Sequence, residues 1–360
     1  MLNSNKKVIL YLNAYVMGYT ISTLEELCKS GYEIHIVYFD HIEHFDKKKL
    51  FSYIINTNFK ILFYKRSEFN SKKIKDLVNL IKPTITVVSG WMDLDYLKIA
   101  NSLRKNNQKV VLALDTQWRN KPKQKLLALI TSKLLLRRFF SNAWIPGYYQ
   151  FEYAKNLGFK NNEIINNLYC ADVKKFHLSK KKKDFSSLKT LLFVGRLEKI
   201  KGLNLLLKAW ISIKDKKNWK LKIIGNGSLI KSIPIDNLSI EHIKFLDPEE
   251  LSTEMNSCHA FILPSIFEPF SLVVHEACLC GLPIITTNRN GSTNYFLINN
   301  FNGFLIDIEK DPLKNIIFAL SKLKNLDEND LKRFSARSKE LSKIITPKTS
   351  ANNLISIIEN

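Results

Sequence analysis

Short, nearly continuous apolar runs recur along this chain, and each pair is separated by a longer, more polar stretch of helical period. Val8–Leu12, Glu33–Phe39, Ile85–Ser89, Val110–Leu114 and Ala143–Ile145 form the first series. Runs of this kind suit strands buried on both faces, as in a parallel sheet wrapped by helices. Ser22-Thr-Leu-Glu25 reads as a capping box opening a helix that ends at Gly31. The alternation breaks at the basic run Ser179–Asp184 and restarts with strand Thr190–Val194. Helix Leu203–Ile213, strand Trp219–Ile224, helix Glu249–Asn256, strand Ala260–Leu263, helix Phe270–Cys280 and strand Pro283–Thr286 then follow. A chain of 360 residues also exceeds the usual size of one core. The expectation is an α/β fold of two Rossmann-like, doubly wound domains facing across a cleft, 1–170 and 189–345. Residues 171–188 would link them, and a final helix within 346–360, about Pro347–Ile358, would cross back to the first domain. Folds of this class place ligands at the carboxyl ends of the strands.

Lys and Arg total 55 against 33 Asp and Glu, a formal charge of +22 that points to an anionic neighbour: nucleic acid, anionic lipid or phosphorylated ligand. No recognition helix, zinc pattern or aromatic-strand signature accompanies the charge, so nucleic acid is not the expected partner. The five cysteines include no C-x-x-C pair, and no histidine stands at zinc-ligand spacing, which suits a reduced, cytoplasmic protein without structural metal. Lys6-Lys7 precedes an apolar stretch as in a signal peptide, but no small-residue cleavage site follows, and a first buried strand is the better reading. No apolar run approaches the roughly 18 residues that cross a bilayer.

The chemistry-bearing segment is Pro264-Ser-Ile-Phe-Glu268-Pro-Phe-Ser-Leu-Val-Val-His-Glu276, closed by Gly281 and Pro283. Pro269 suits a helix start and Gly281 a helix end. Backbone N–H groups near Phe270, Ser271 and Leu272 would then face an anion such as a diphosphate at the positive end of the helix. Eight residues of helix would hold the Glu268 and Glu276 carboxylates about 12 Å apart. That exceeds the roughly 5–9.5 Å of a paired-carboxylate glycosidase, so the two should address different parts of one elongated ligand. Glu276 can accept hydrogen bonds from a ribose diol, and Glu268 lies where a sugar beyond the phosphates would sit. A second element, Gly195-Arg196-Leu-Glu-Lys-Ile-Lys201-Gly202, follows a strand and offers a planar fork and a mobile ammonium to the same phosphates.

These two motifs, with Leu246-Asp-Pro…Leu251, Ala260-Phe-Ile-Leu-Pro-Ser265 and Asn302-Gly-Phe-Leu-Ile306, resemble the carboxyl-terminal domain of retaining glycosyltransferases of the GT-B fold, the group-1 or family-4 class. The likeness covers about residues 190–307 and extends to the first half only in general pattern. It implies a nucleotide-sugar-binding second domain and an acceptor-binding first domain. Arg196 and Lys201 would bind the donor diphosphate, Glu276 the ribose, and Glu268 the donor sugar with backbone help from Phe270–Leu272. It also implies retention of anomeric configuration with no metal and no cofactor beyond the donor itself.

The first half departs from the family pattern. Gly18 alone stands where many relatives have a glycine pair after the first strand. Leu114-Asp115-Thr-Gln-Trp118 replaces a common histidine; Asp115 is a candidate to orient or deprotonate the acceptor hydroxyl and Trp118 to stack on a sugar, the alternative being a helix-capping Asp beside a core Trp. Asn294 stands where relatives often carry Glu. Asp93-Leu-Asp95 has the spacing of a metal-binding pair but reads as a helix start. The expected partners are a nucleotide-sugar donor, a glycan or lipid-linked acceptor, and an anionic membrane surface met through 121–138. There Lys121, Lys123, Lys125, Lys133, Arg137 and Arg138 flank Leu126–Ile130 and Leu134–Leu136. A buried helix with basic ends is the alternative for that segment. The expected setting is the inner face of the cell membrane. The rival functions are a nucleotide-sugar epimerase on the same fold and a basic nucleic-acid-binding protein.

Overall fold

A computed structural model describes residues 7–14, 16–39, 59–131, 135–179, 183–184, 188–234 and 236–359. The chain divides into two compact units, residues 1–170 with 347–360, and residues 171–346. Residues 171–188, expected as a linker, group with the second unit.

The first unit is built on seven strands, β1 (Val8–Asn13), β2 (Glu33–Tyr38), β3 (Ile61–Lys65), β4 (Ile85–Ser89), β5 (Lys109–Ala113), β6 (Asn142–Trp144) and β7 (Ile164–Ile165). They run in the order β3-β2-β1-β4-β5-β6-β7, every pair parallel. Alternate residues of β1 enter opposite cores, as a pleated strand requires. Leu10 and Leu12 join Val110, Leu112 and Phe140 on one side, while Ile9 and Tyr11 join Ile34, Ile36 and Leu24 on the other. The order reverses between β1 and β4, so their carboxyl ends flank a topological switch point.

The helix after β1 spans Gly18–Lys29 and does not begin at a Ser22 capping box. Ser22 is already inside it, and its hydroxyl donates to the Tyr19 carbonyl at 3.0 Å. The terminal helix, Pro347–Glu359, lies against Gly18–Lys29 and places Ala351, Leu354 and Ile357 in the core with Leu24 and Leu27. Ser350 Oγ donates to the Asn167 carbonyl at 2.7 Å and Asn353 Nδ2 to that of Asn166 at 2.9 Å.

The second unit carries β8 (Lys189–Val194), β9 (Trp219–Ile224), β10 (Ile240–Ile243), β11 (Ala260–Leu263), β12 (Ile284–Thr287) and β13 (Gly303–Ile306). Their order is β10-β9-β8-β11-β12-β13, again all parallel, with the switch point between β8 and β11. Hydrogen bonds from the described residues of 171–184 tie this stretch to the second unit. Ala171 N–H donates to His275 Nδ1 at 3.2 Å, Ser252 Oγ to the Lys175 carbonyl at 2.7 Å, and Ser179 N–H to Asn256 Oδ1 at 2.8 Å. His259 Nε2 completes the set with the Asp184 carbonyl at 2.8 Å. Because His275 Nδ1 accepts, its Nε2 must carry the proton and donate to the Ser342 carbonyl, 3.0 Å away. Burial holds this ring neutral by lowering its pKa to about 4.

Leu354 is fully buried at the seam between the terminal helix and the rest of the first unit. Leu354→Ala is expected to lower the stability of that unit by about 2–4 kcal/mol. Urea unfolding followed by tryptophan fluorescence measures it, with Leu238→Ala, fully exposed in the second unit, as the neutral control.

Candidate functional site

In the second unit the chain leaves β8 into the loop 195–202, which is held on both sides by close backbone approach. Gly202 has φ +75°, and a Cβ there would lie 2.0 Å from the carbonyl oxygen of Pro264, the residue after β11. Gly225, just past β9, has φ +149°, and a Cβ there would lie 1.9 Å from the Gly195 carbonyl oxygen. Only glycine fits either place. Ile266 N–H donates to the Ile200 carbonyl at 2.8 Å, and Leu197 N–H to that of Asn226 at 2.8 Å. The Glu198 carboxylate braces the loop further by accepting from Ser228 N–H at 3.0 Å and Ser228 Oγ at 2.7 Å.

This frame brings Lys201 into an ion pair with Glu268, both side chains largely buried. Arg196 is exposed at the start of the loop. Glu268 is fixed by its backbone: its N–H donates to the Arg289 carbonyl and its carbonyl accepts from Gly291 N–H, both at 3.0 Å. That short parallel bridge, centred on Asn290, holds the chain extended at 268. The helix therefore begins later than its Pro269 suggested, at Leu272, and runs to Leu279 with Ser271 as its N-cap residue. Phe270 and Ser271 are buried just before it. Ser271's side chain makes no capping bond, so the first-turn N–H groups lack the usual side-chain acceptor. Glu276 lies in the second turn of the same helix. Its carboxyl has no hydrogen-bond partner or counterion among the described residues, and burial first, then the neighbouring Asp172 charge, pushes its pKa up to about 8.

In the first unit a cavity of about 350 Å³ opens at the switch point between β1 and β4. Asn13 and Ser89 from those strand ends line it, with Tyr19 and Thr20 from the following helix, Asp115 after β5, and Tyr169. Tyr169 donates its hydroxyl to Asp115 Oδ2 at 3.2 Å and meets the Tyr19 ring edge-on at 5.5 Å. Asp115 is exposed and caps no helix. Gly18 begins the helix but does not line the cavity. Trp118, half-buried, packs its ring on Tyr153 at 5.7 Å and joins the core on that side. Asp93 is the N-cap of helix Leu94–Lys105, accepting from Asp95 and Tyr96 N–H, and both aspartates bind Arg66.

Residues 174–340 match the sequence profile described as Glycosyl transferases group 1. The second unit is a group 1 glycosyl transferase domain. An uncharacterized glycosyltransferase of Haemophilus influenzae is 31% identical over 171 residues, 44% of this chain and 47% of that protein. The D-inositol 3-phosphate glycosyltransferase of an Arthrobacter strain is 30% identical over 132 residues, 33% of this chain and 31% of that protein. The matched segments thus span less than half the length of these curated relatives. Solved structures extend the likeness to the whole chain at the level of fold. Anabaena Alr3699/HepE in complex with UDP and glucose superposes with a TM-score of 0.71 at 15% identity, covering 98% of this chain and 99% of that one. A glycosyltransferase from Rickettsia africae gives 0.76 at 14% identity, covering 99% and 98%. The fold of the chain is GT-B.

Within the glycosyl transferase domain, three elements escaped the sequence reading. Gly225-Asn-Gly227 supports loop 195–202, and its signal was present: two glycines directly after an apolar strand. His275 ties the Glu276 helix to both ends of the domain. Asn290 is fully buried, its Nδ2 donating to Thr286 Oγ1 at 3.0 Å and its Oδ1 accepting from Ser292 Oγ at 2.9 Å, and so shapes the turn that holds Glu268. Asn294 is exposed on the short helix Thr293–Phe296.

The raised Glu276 pKa fixes a pH dependence. Below about 4.5 the carboxyl is protonated in both folded and unfolded chains and contributes nothing. Between about 4.5 and 8 the unfolded chain ionises first, so stability falls as pH rises, and above about 8 the full cost is present. Glu276→Gln is expected to be more stable than the parent by a few kcal/mol at pH 8.5 and equal to it near pH 4. Thermal unfolding across that range checks this, and a constant offset at every pH would refute it.

Proposed function

We propose that the protein is a retaining, metal-independent hexosyltransferase. It would move a sugar from a nucleoside diphosphate donor to a hydroxyl of a glycan or lipid-linked acceptor in the assembly of a surface polysaccharide or lipopolysaccharide. The observation that carries the reading is the convergence at the β8/β11 switch point: the Lys201–Glu268 pair, exposed Arg196, and the start of helix Leu272–Leu279 with Glu276 on it. An elongated donor fits this order of chemistry. Arg196, Lys201 and the N–H groups of Phe270–Leu272 face the diphosphate. Glu276 takes the ribose diol, and Glu268 takes the sugar hydroxyls. The UDP and glucose held by the Anabaena neighbour support a nucleotide sugar as the donor class.

In the proposed reaction the bond from the anomeric carbon to the diphosphate breaks, and the acceptor oxygen bonds to the same carbon on the same face. The acceptor proton passes to the departing phosphate, whose charge Arg196 and Lys201 neutralise in place of a metal. Asp115 orients the acceptor hydroxyl. Binding titrations across UDP-, GDP- and ADP-sugars test the donor reading, and one should bind in the presence of EDTA. Glu276→Ala should weaken it by about tenfold or more, the loss of a two-point hydrogen bond; unchanged affinity would remove the ribose assignment.

We also propose a peripheral membrane contact through 121–138. In helix Pro122–Thr131, Leu126 is 58% and Leu129 77% exposed, beside exposed Lys121, Lys123 and Lys125. No helix of the described residues is long and apolar enough to cross a membrane. The segment is narrower than expected. Arg137 is engaged by Glu163 through two 2.6 Å bonds, Leu136 is buried, and residues 132–134 lie outside the described residues. Vesicles with anionic lipid should sediment the protein at low salt, and Leu126→Ser/Leu129→Ser should reduce the bound fraction several-fold.

A further inference from the structure

Although the chain carries 55 basic residues, none of the described residues lining the cavity at the β1/β4 switch point is basic. Among the described residues that line it there is no lysine, arginine or histidine, and Asp115 is the one carboxylate. The rest of the polar lining is neutral: the Asn13 amide, the hydroxyls of Thr20, Thr23 and Ser89, and those of Tyr11, Tyr19 and Tyr169. The tyrosines stay neutral. Burial raises the Tyr19 pKa to about 12, with the Asp115 charge adding to it, and moves Tyr11 and Tyr169 upward for the same first reason. The Tyr11 hydroxyl is buried there without a hydrogen-bond partner. Trp91, half-buried, adds an aromatic wall.

A phosphate or carboxylate entering such a space would give up its hydration next to a fixed negative charge and meet no cation among the described lining residues in return. A hydroxyl-rich ring loses far less, because its O–H groups exchange water for Asn, Thr, Ser and Tyr partners and its apolar C–H face can lie on an aromatic ring. The volume, near the lower end of the range for small-ligand sites, suits one or two such rings. We infer that the acceptor's reactive end is an uncharged, hydroxyl-rich sugar, and that Asp115 excludes acceptors bearing a carboxylate or phosphate on that unit. The inference rests on the transferase reading and adds the charge class of the second substrate. It also assigns Asp115 a selective role besides orienting the hydroxyl.

The test is a panel of short oligosaccharides in matched pairs, neutral and with the terminal hexose replaced by the corresponding hexuronate, binding being read by saturation-transfer NMR and tryptophan fluorescence. At least one neutral member should bind, and its uronate counterpart should bind about tenfold more weakly or not at all. Asp115→Asn should narrow that gap several-fold while leaving the far-UV spectrum unchanged. Met92→Lys, which adds a cation at an 88% exposed position of the rim, should narrow it from the other side. Equal or tighter uronate binding by the parent protein would overturn the proposal, as would a gap indifferent to both substitutions. Failure of every neutral sugar to bind would also overturn it. Donor titration on the same sample separates the two readings: loss of nucleotide-sugar binding sinks the transferase assignment, whereas intact donor binding with the wrong acceptor pattern sinks only this one.

Discussion

The second domain's chemistry depends on one steric constraint, the contact between Gly202 and the Pro264 carbonyl. No side chain fits in that gap, and the positive φ at Gly202 turns the chain so that Lys201 projects beside the residues following β11. The ion pair with Glu268 is the result. A largely buried pair of this kind gains little net stability, because the desolvation of two charges offsets most of their attraction. Lys201 is thus placed by backbone sterics more than by the energy of its salt bridge. That matters for a residue expected to serve an arriving diphosphate: its ammonium has three donors, and sharing them between Glu268 and phosphate oxygens costs less than breaking a strongly net-stabilising interaction.

The two switch points present opposite electrostatics from the same architecture. At the second, a loop carrying Arg196 and Lys201 adjoins the positive end of a helix, and the carboxylates are either paired, as Glu268 is, or held mostly neutral by burial near pH 7, as Glu276 is. At the first, the described lining consists of hydroxyls, an amide and one carboxylate, with no cation among those residues. The net charge of +22 is accordingly a poor guide to either site, since it is a property of the whole surface. The cavity that contrasts most with it is built from the strand ends, where the fold puts ligands.

Legibility in the sequence followed the physical origin of each feature. The strands of the switch points and the glycine-bounded loop 195–202 were readable because buried parallel strands need continuous apolar runs and tight backbone contacts need glycine. The start of the Glu276 helix was misplaced by Pro269, a local signal overruled by a bridge to residues 289–291 that lie some twenty positions away. The Ser22 capping box failed for a similar reason, the helix having already begun at Gly18 under the pull of Ile21 and Leu24 into the core. The tyrosine-lined cavity was out of reach altogether, because its walls come from separate segments between Tyr11 and Tyr169, none of which carries a motif of its own.

Glu276 shows how a candidate site residue can be recognised from cost rather than from contacts. A carboxyl with neither counterion nor hydrogen-bond partner, beside Asp172, is less stable than glutamine would be in the same place at alkaline pH. Helix Leu272–Leu279 nevertheless has a well-anchored position, fixed by His275 to Ala171 and Ser342 and by Cys278 to the Phe296 carbonyl. These anchors hold the helix that carries the carboxyl in place. A ligand that donates two hydroxyl hydrogens to this group would relieve that cost on binding, and part of its affinity would come from the relief. In the proposed donor site the carboxyl would then meet the ligand, while His275, neutral and fully buried, fixes the helix that carries it.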